Sequence, residues 1–559
     1  MKKTLKIFAF LSSLLLIHQV GFGQGITIAV DAQKTIGVMK PIWAFWGYDE
    51  PNYTTQKNGQ KLLSELQALS PVPVYIRAHN LLTSKGNSPG PDLKWGYTDA
   101  YTEDLGGKPI YNWVVVDSII DSYIQLGMKP LVEIGFMPKA LSSKPEPYEH
   151  YWSIGGNLWT GWTYPPGDYN KWRELVYQWV KHSIDRYGKI EVQSWFWELW
   201  NEPDIGYWSG TFEEYCKMYD YASDGLKKAC PECPIGGPHT TSPRGEKGYK
   251  FLTDFMDHCL HGKNYATGKK GSPLNYVGFH AKGSPELVDG VVRMNMGAQL
   301  KDIKRGFEAV NSFPELKNIP VIIGECDPEG CAACSEAREP KYAYRNGTMY
   351  SSYSAASFAR IYELMDQQKV NLRGAVNWSF EFENQPWFAG YRDMATNGVN
   401  KPVMNVFRML GMMRGNRLAV QNSAGFGCKD IIEKGVREKP DINAIASKSG
   451  NSIWIMVWNY HDLNVIANSA EIDLEIQNMV TSKVLMKHYR VDDKWSNSFE
   501  KWKKLGRPQI PSSEQFAELE QAGQLQMLNS PGYMKVVNGI LKLNFELPRQ
   551  GVSLIELTW

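Results

Sequence analysis

Short runs of apolar, β-branched and aromatic residues alternate along the chain with longer segments whose apolar positions recur every three or four residues. That alternation predicts βα units around a parallel sheet. Eight strand-like runs occur, at residues 42–48, 74–77, 130–135, 192–200, 234–237, 276–280, 320–324 and 374–380. Amphipathic segments lie between them at 113–126, 169–187, 211–228, 300–311 and 350–368. Eight alternations predict an α/β fold, a closed (β/α)8 TIM barrel with its active site at the C-terminal ends of the strands. Beyond about Gly415 the period drops to two, in runs at 452–459, 470–476, 483–491, 540–546 and 552–558, which predicts an accessory β-sandwich. The run 26–30 has no helix of its own and is expected to join that sandwich, while 512–523, behind Pro508 and Pro511, has helical composition. The expected organisation is an N-terminal strand region over 24–40, a barrel over 41–412 and a sandwich over 413–559. The absence of a low-complexity linker predicts that the two domains pack tightly.

Lys2, Lys3 and Lys6 precede an apolar stretch from Ile7 to Ile17, and small residues follow at Gly21 and Gly23, so residues 1–23 read as a signal peptide. This predicts export to the periplasm or the exterior. No cysteine precedes Cys216, which argues against a lipoprotein, and no later run reaches the roughly 18 apolar residues that span a bilayer. With 61 basic and 59 acidic side chains the net charge is +2, so no strong field draws nucleic acid or an anionic membrane. The 20 Trp and 29 Tyr exclude disorder and supply flat faces that suit sugar rings as well as a core. Cys230/Cys233 and Cys331/Cys334 each have CxxC spacing. They lie too far apart in sequence for a compact zinc ribbon, and local disulfides or buried thiols are the expectation.

The fourth run ends in Trp200-Asn201-Glu202-Pro203 and the seventh in Gly324-Glu325-Cys326-Asp327. A lone Glu at a strand end is usually an ion-pair partner. Two of them, on strands that end at one barrel face, are the machinery of glycoside hydrolysis. No phosphate-cradling glycine loop, HExxH or GxSxG motif competes with that reading.

On these residues the chain resembles glycoside hydrolase family 39, in a clan of (β/α)8 retaining glycosidases, and most of all its α-L-iduronidase branch. The resemblance runs through Ile76-Arg77-Ala78-His79-Asn80, Trp200-Asn201-Glu202-Pro203-Asp204, Gly236-Gly237-Pro238 and Phe279-His280-Ala281-Lys282-Gly283. It continues through Glu325-Cys326-Asp327-Pro328, Lys401-Pro402-Val403, Leu505-Gly506-Arg507-Pro508 and Glu514-Gln515-Phe516. It implies that Glu202 is the acid/base and Glu325 the nucleophile of a double displacement, and that Asn201 bonds the sugar 2-hydroxyl. His79 and His280 would donate to sugar hydroxyls. Arg77 would touch the substrate or form an ion pair beneath Glu325, and Trp378 would be a stacking floor or an ordinary core aromatic.

Lys282 and Arg392 would neutralise a sugar carboxylate, which makes an α-L-iduronide-like, nonreducing-end substrate the expectation. The branch has an Asp after strand eight where this chain has Glu381 or Glu383, a change that would alter which hydroxyl is read. The resemblance implies no cofactor and no metal, and an oligosaccharide or polysaccharide-derived partner. A β-D-xyloside, or a sulfated or neutral sugar of plant or algal polysaccharide, stays open, because only contacts around C5 separate these substrates. A non-catalytic carbohydrate-binding protein is the alternative of another class, and retention of both glutamates argues against it.

Overall fold

Eight of the apolar runs pair side by side in parallel: Phe45–Tyr48, Tyr75–Ala78, Lys129–Ile134, Phe196–Leu199, Ile235–Thr240, Tyr276–Lys282, Val321–Asp327 and an eighth strand in two pieces. Of the last, Leu372–Ala375 pairs with the seventh strand and Asn377–Trp378 with the first, which closes the barrel. The computed structural model describes residues 25–85, 96–152, 156–331, 334–378 and 384–559. Residues 1–23, expected to be a signal peptide, and Glu381 and Glu383 lie outside the described residues.

Capping chemistry sets several helix starts. The Asp168 side chain accepts from the Asn170 and Lys171 amides at the head of Tyr169–Tyr187, and Thr211 with Glu214 forms a capping box at the head of Phe212–Ala229. The fourth strand is shorter than its run predicts. Gly188, at φ 87°, ends the preceding helix, and Lys189–Gln193 then makes a short helix before the strand begins.

Strand alternation stacks the barrel interior in layers. Phe45, Leu131, Tyr276 and Ile322 form an apolar floor with Val376 and Trp378, against which Tyr75 and Phe196 pack. Two residues further along their strands stand Gly47, Arg77, Glu133, Glu198, Gly278 and Gly324. The second layer therefore has three charged side chains on adjacent strands, with glycines on the first, sixth and seventh. The residues between, such as Trp46, Ile76, Val132, Trp197, Val277 and Ile323, face outward into the core under the helices.

The C-terminal strands form one curled sheet that Ile26–Val38 enters, antiparallel to Asn416–Asn422 and parallel to Ala470–Gln477. Along Ser452–Tyr460, Ile453, Ile455 and Val457 point into the accessory core while Trp454, Met456 and Trp458 pack on the barrel. Arg360, on the helix Thr348–Gln368, bonds both oxygens of Asp441 across the junction at 3.0 and 2.9 Å. Each CxxC pair closes on itself as a disulfide, Cys230–Cys233 and Cys331–Cys334, which leaves neither as a zinc half-site. No helix among the described residues is long and apolar enough to cross a membrane.

Candidate active site

Glu325 reaches the pocket through an irregularity. In the pairing of strands six and seven, Phe279 faces Ile323 but His280 faces Glu325, so one residue of the seventh strand is extra. Such a bulge re-aims the next side chain, here inward, beside His280. Glu202 follows the fourth strand with left-handed backbone at φ 44°, as does Trp200 at φ 68°. Backbone of this kind costs about 1–3 kcal/mol per residue and persists where the surroundings fix it. One oxygen of Glu202, one of Glu325 and a ring nitrogen of His280 lie within 4.8 Å of one another. That spacing belongs to the retaining class, which places its carboxyl groups about 5–5.5 Å apart, and leaves no room for the water of an inverting site.

The environments of the two carboxyls differ. Burial, and then the nearby charge of Glu325, pushes the Glu202 carboxyl well above the usual carboxylate range. Burial opposes charge on Glu325 too, but Lys282 foremost, with Arg77, holds it well below that range. The Lys282 ammonium contacts Glu325 directly and Asp327 at 2.6 Å. Arg77, fully buried, donates from Nε to Glu198 at 2.6 Å, from Nη1 to Glu325 at 3.2 Å and from Nη2 to Asn201 Oδ1 at 3.2 Å. Every face of Arg77 is thus occupied by protein, as an ion-pair cradle beneath Glu325. Asn201, whose oxygen Arg77 occupies, keeps its amide nitrogen as a donor.

His79 sits between Asp49, 3.0 Å from Nδ1, and Glu133, 3.1 Å from Nε2. Burial opposes its charge, yet Glu133 and Asp49 raise it, while burial pushes Glu133 itself up to about 7 against the pull of His79 and Arg77. His280 Nδ1 lies 2.9 Å from Glu202. Trp378, 2 % exposed, is wedged between Gly47, the Arg77 guanidinium 5.0 Å from its ring and the His79 ring at 4.2 Å. It packs as barrel core.

Arg392 departs from its expected place. It is fully buried, donates to the Trp378 carbonyl at 2.7 Å and to Glu329, and lies 3.4 Å from Asp327. It braces Asp327, with its guanidinium enclosed by protein groups. Burial of a guanidinium demands such carboxylate partners, and the sequence offered no sign that Glu329 would supply one. Glu133 and Glu198 were also missed, although a charged residue inside an apolar strand run is a legible signal. Asp49 carries no such mark.

A closed barrel with two facing, oppositely tuned carboxyls at the ends of strands four and seven defines the class: a (β/α)8 glycoside hydrolase of the retaining kind. The chain belongs to Glycosyl hydrolases family 39, which it matches over residues 26–529. It is 26% identical over 509 residues to a β-xylosidase of Geobacillus stearothermophilus, covering 86% of each chain. It is 23% identical over 523 residues to the α-L-iduronidase of Mus musculus, covering 88% of this chain and 75% of that one. Among solved structures, a bacterial orthologue of human α-L-iduronidase superposes with a TM-score of 0.73 at 19% identity, over 95% of this chain and 84% of that one. A monomeric β-xylosidase from Caulobacter crescentus gives 0.72 at 19% identity, over 95% and 99%.

Proposed function

We propose that this enzyme releases a nonreducing-end sugar by double displacement, with Glu325 as nucleophile and Glu202 as acid/base. The observation that carries this reading is the opposed ionisation of two carboxyls within 4.8 Å. Glu325 attacks the anomeric carbon while Glu202 gives its proton to the departing glycosidic oxygen. Esterification then removes the charge on Glu325 that had held the Glu202 proton. Glu202 becomes acidic, ionises, and takes a proton from the water that opens the glycosyl-enzyme. Asn201 donates to the 2-hydroxyl, and Arg77 with Lys282 keeps the attacking carboxylate charged and aimed.

For the sugar, the compensated state of the cations favours a neutral pyranoside of the β-D-xyloside type. Lys282 is bound to two carboxylates and Arg392 is enclosed behind Asp327, so a sugar carboxylate would meet as many negative as positive groups. The β-xylosidase relative supports the same choice. A second reading, an α-L-iduronide, rests on the third N–H of Lys282 and the His280-Ala281-Lys282-Gly283 motif. Steady-state kinetics on paired aryl β-D-xyloside and aryl α-L-iduronide tests the choice. Lys282→Ala should raise the barrier for the xyloside by about 2 to 4 kcal/mol through loss of the Glu325 partner, with no larger loss on the iduronide. A loss confined to the iduronide would establish the anionic reading instead.

Chelation should change nothing. Glu202 holds a proton and Glu325 already has two cations beside it, so a dication among Glu202, His280 and Glu325 would meet charge repulsion. Activity lost on dialysis against a strong chelator and restored by zinc would contradict this.

A further inference from the structure

Behind the acid/base lies a buried histidine that the displacement scheme does not use. His239 follows Gly236-Gly237-Pro238 on the fifth strand, is fully buried, and has left-handed backbone at φ 52°. In the pairing of strands five and six, Pro238 faces Gly278 and Thr240 faces Phe279, so His239 is the extra residue of a bulge. Two glycines make room for its ring. A methyl group at Gly278 would run into His239, and one at Gly324 would run into His239 Nδ1 while lying 3.1 Å from His280 Nε2. The imidazoles of His239 and His280, with ring centroids 5.8 Å apart, therefore face a common gap over Gly324. His239 Nδ1 and His280 Nε2 are both buried and have no hydrogen-bond partner among the described residues, so each has the other ring across the gap as its nearest candidate.

The outer ends of this pair are fixed. His239 Nε2 lies 2.7 Å from Glu198 Oε2, and His280 Nδ1 lies 2.9 Å from Glu202 Oε1. Burial favours the protonated form of Glu198, but Arg77 and then His239 override it, so Glu198 is an anion and a hydrogen-bond acceptor. Burial depresses His239 and His280, so each is a neutral ring with one N–H. The anion requires that N–H on His239 Nε2, which leaves His239 Nδ1 an acceptor. His280 then places its own N–H on Nε2, toward His239, and its Nδ1 is left as an acceptor facing Glu202.

We propose that His239, backed by Glu198, is a positioning residue that fixes the tautomer of His280 so that His280 Nδ1 accepts the acid proton of Glu202. The proposal rests on Glu202 being the acid/base. The other groups that bear on Glu202 are Glu325, Lys282, Asp204 and Arg77, with Tyr148 and Tyr207 alongside. Arg77, Glu325 and Lys282 act on His280, and Arg77, Glu325 and the Tyr276 ring lie around His239. None of these is a neutral ring able to select a tautomer.

The test is ring 15N NMR of the full mature chain labelled at histidine, with the His280 resonances assigned by their loss in His280→Asn. At neutral pH, His280 of the wild type should show a bare Nδ1 and a protonated Nε2. His239→Phe removes the acceptor within a ring of similar size. Glu198→Gln turns the group facing His239 Nε2 into a donor without removing either ring. Each should move the His280 proton to Nδ1 and shift the basic limb of kcat/KM down by about one pH unit, the size of one buried hydrogen bond. An Nδ1-protonated His280 in the wild type, or an unchanged tautomer in both variants, overturns the proposal. A Glu202→Gln variant whose loss is the same for good and poor leaving groups would instead overturn the acid/base assignment on which it rests.

Discussion

Glu325→Gln is expected to lower turnover by a factor on the order of 10^4 to 10^6, as removal of a nucleophile does elsewhere. The amide is isosteric but cannot form the glycosyl ester, so no weaker version of the first step remains. Folding should survive. Lys282 keeps Asp327, and Arg77 keeps Glu198 and Glu133, so neither buried cation is left without a carboxylate. Turnover of an aryl glycoside and a thermal melt of the same sample check both halves. Near wild-type turnover in a folded variant would end the mechanism.

Glu202→Gln should separate substrates by leaving group. For an unactivated glycoside the loss should be about 10^2 to 10^4, the usual range for general acid catalysis, and for a dinitrophenyl glycoside far smaller in the first step. The second step then lacks its base, so the glycosyl-enzyme accumulates. Added azide, which needs no base, should restore turnover and give a glycosyl azide of retained anomeric configuration. The pH profile follows from the same environments. Glu202, raised by burial and Glu325, is protonated at and below its elevated pKa, so the basic limb of kcat/KM should lie above the ordinary carboxylate range. Glu325, held down by Lys282 and Arg77, remains an anion far into acid, which sets the acidic limb low. In Glu202→Gln the basic limb should vanish.

Much of the barrel was legible because each of its eight strands is an apolar run bounded by breakers or an amphipathic helix. The pair Glu202 and Glu325 was legible because both stand where such runs end. Boundaries failed where a local element intervened, as at Lys189–Gln193. The strands Asn416–Asn422 and Asp441–Ser449 escaped notice because their mixed polar composition hides the period of two. Bulges explain the deeper omissions. Alternation assigns faces by counting in twos, and the extra residues at His239 and beside Glu325 break the count. The burial of Arg392 was illegible for a different reason: its sequence position near the mouth says nothing about Glu329 and Asp327, which draw the guanidinium inward.

The central claim is that Glu325 forms the covalent intermediate. Incubation with an activated 2-deoxy-2-fluoro-β-D-xyloside, which slows both steps but the second more, followed by proteolysis and mass spectrometry, tests it directly. A parallel sample with the fluoro-α-L-iduronide covers the second reading of the sugar. The account predicts one fluoroglycosyl group on the peptide that contains Glu325, at that side chain and absent from Glu325→Gln. Label on another carboxylate, or turnover of the parent glycoside with inverted anomeric configuration, would contradict it.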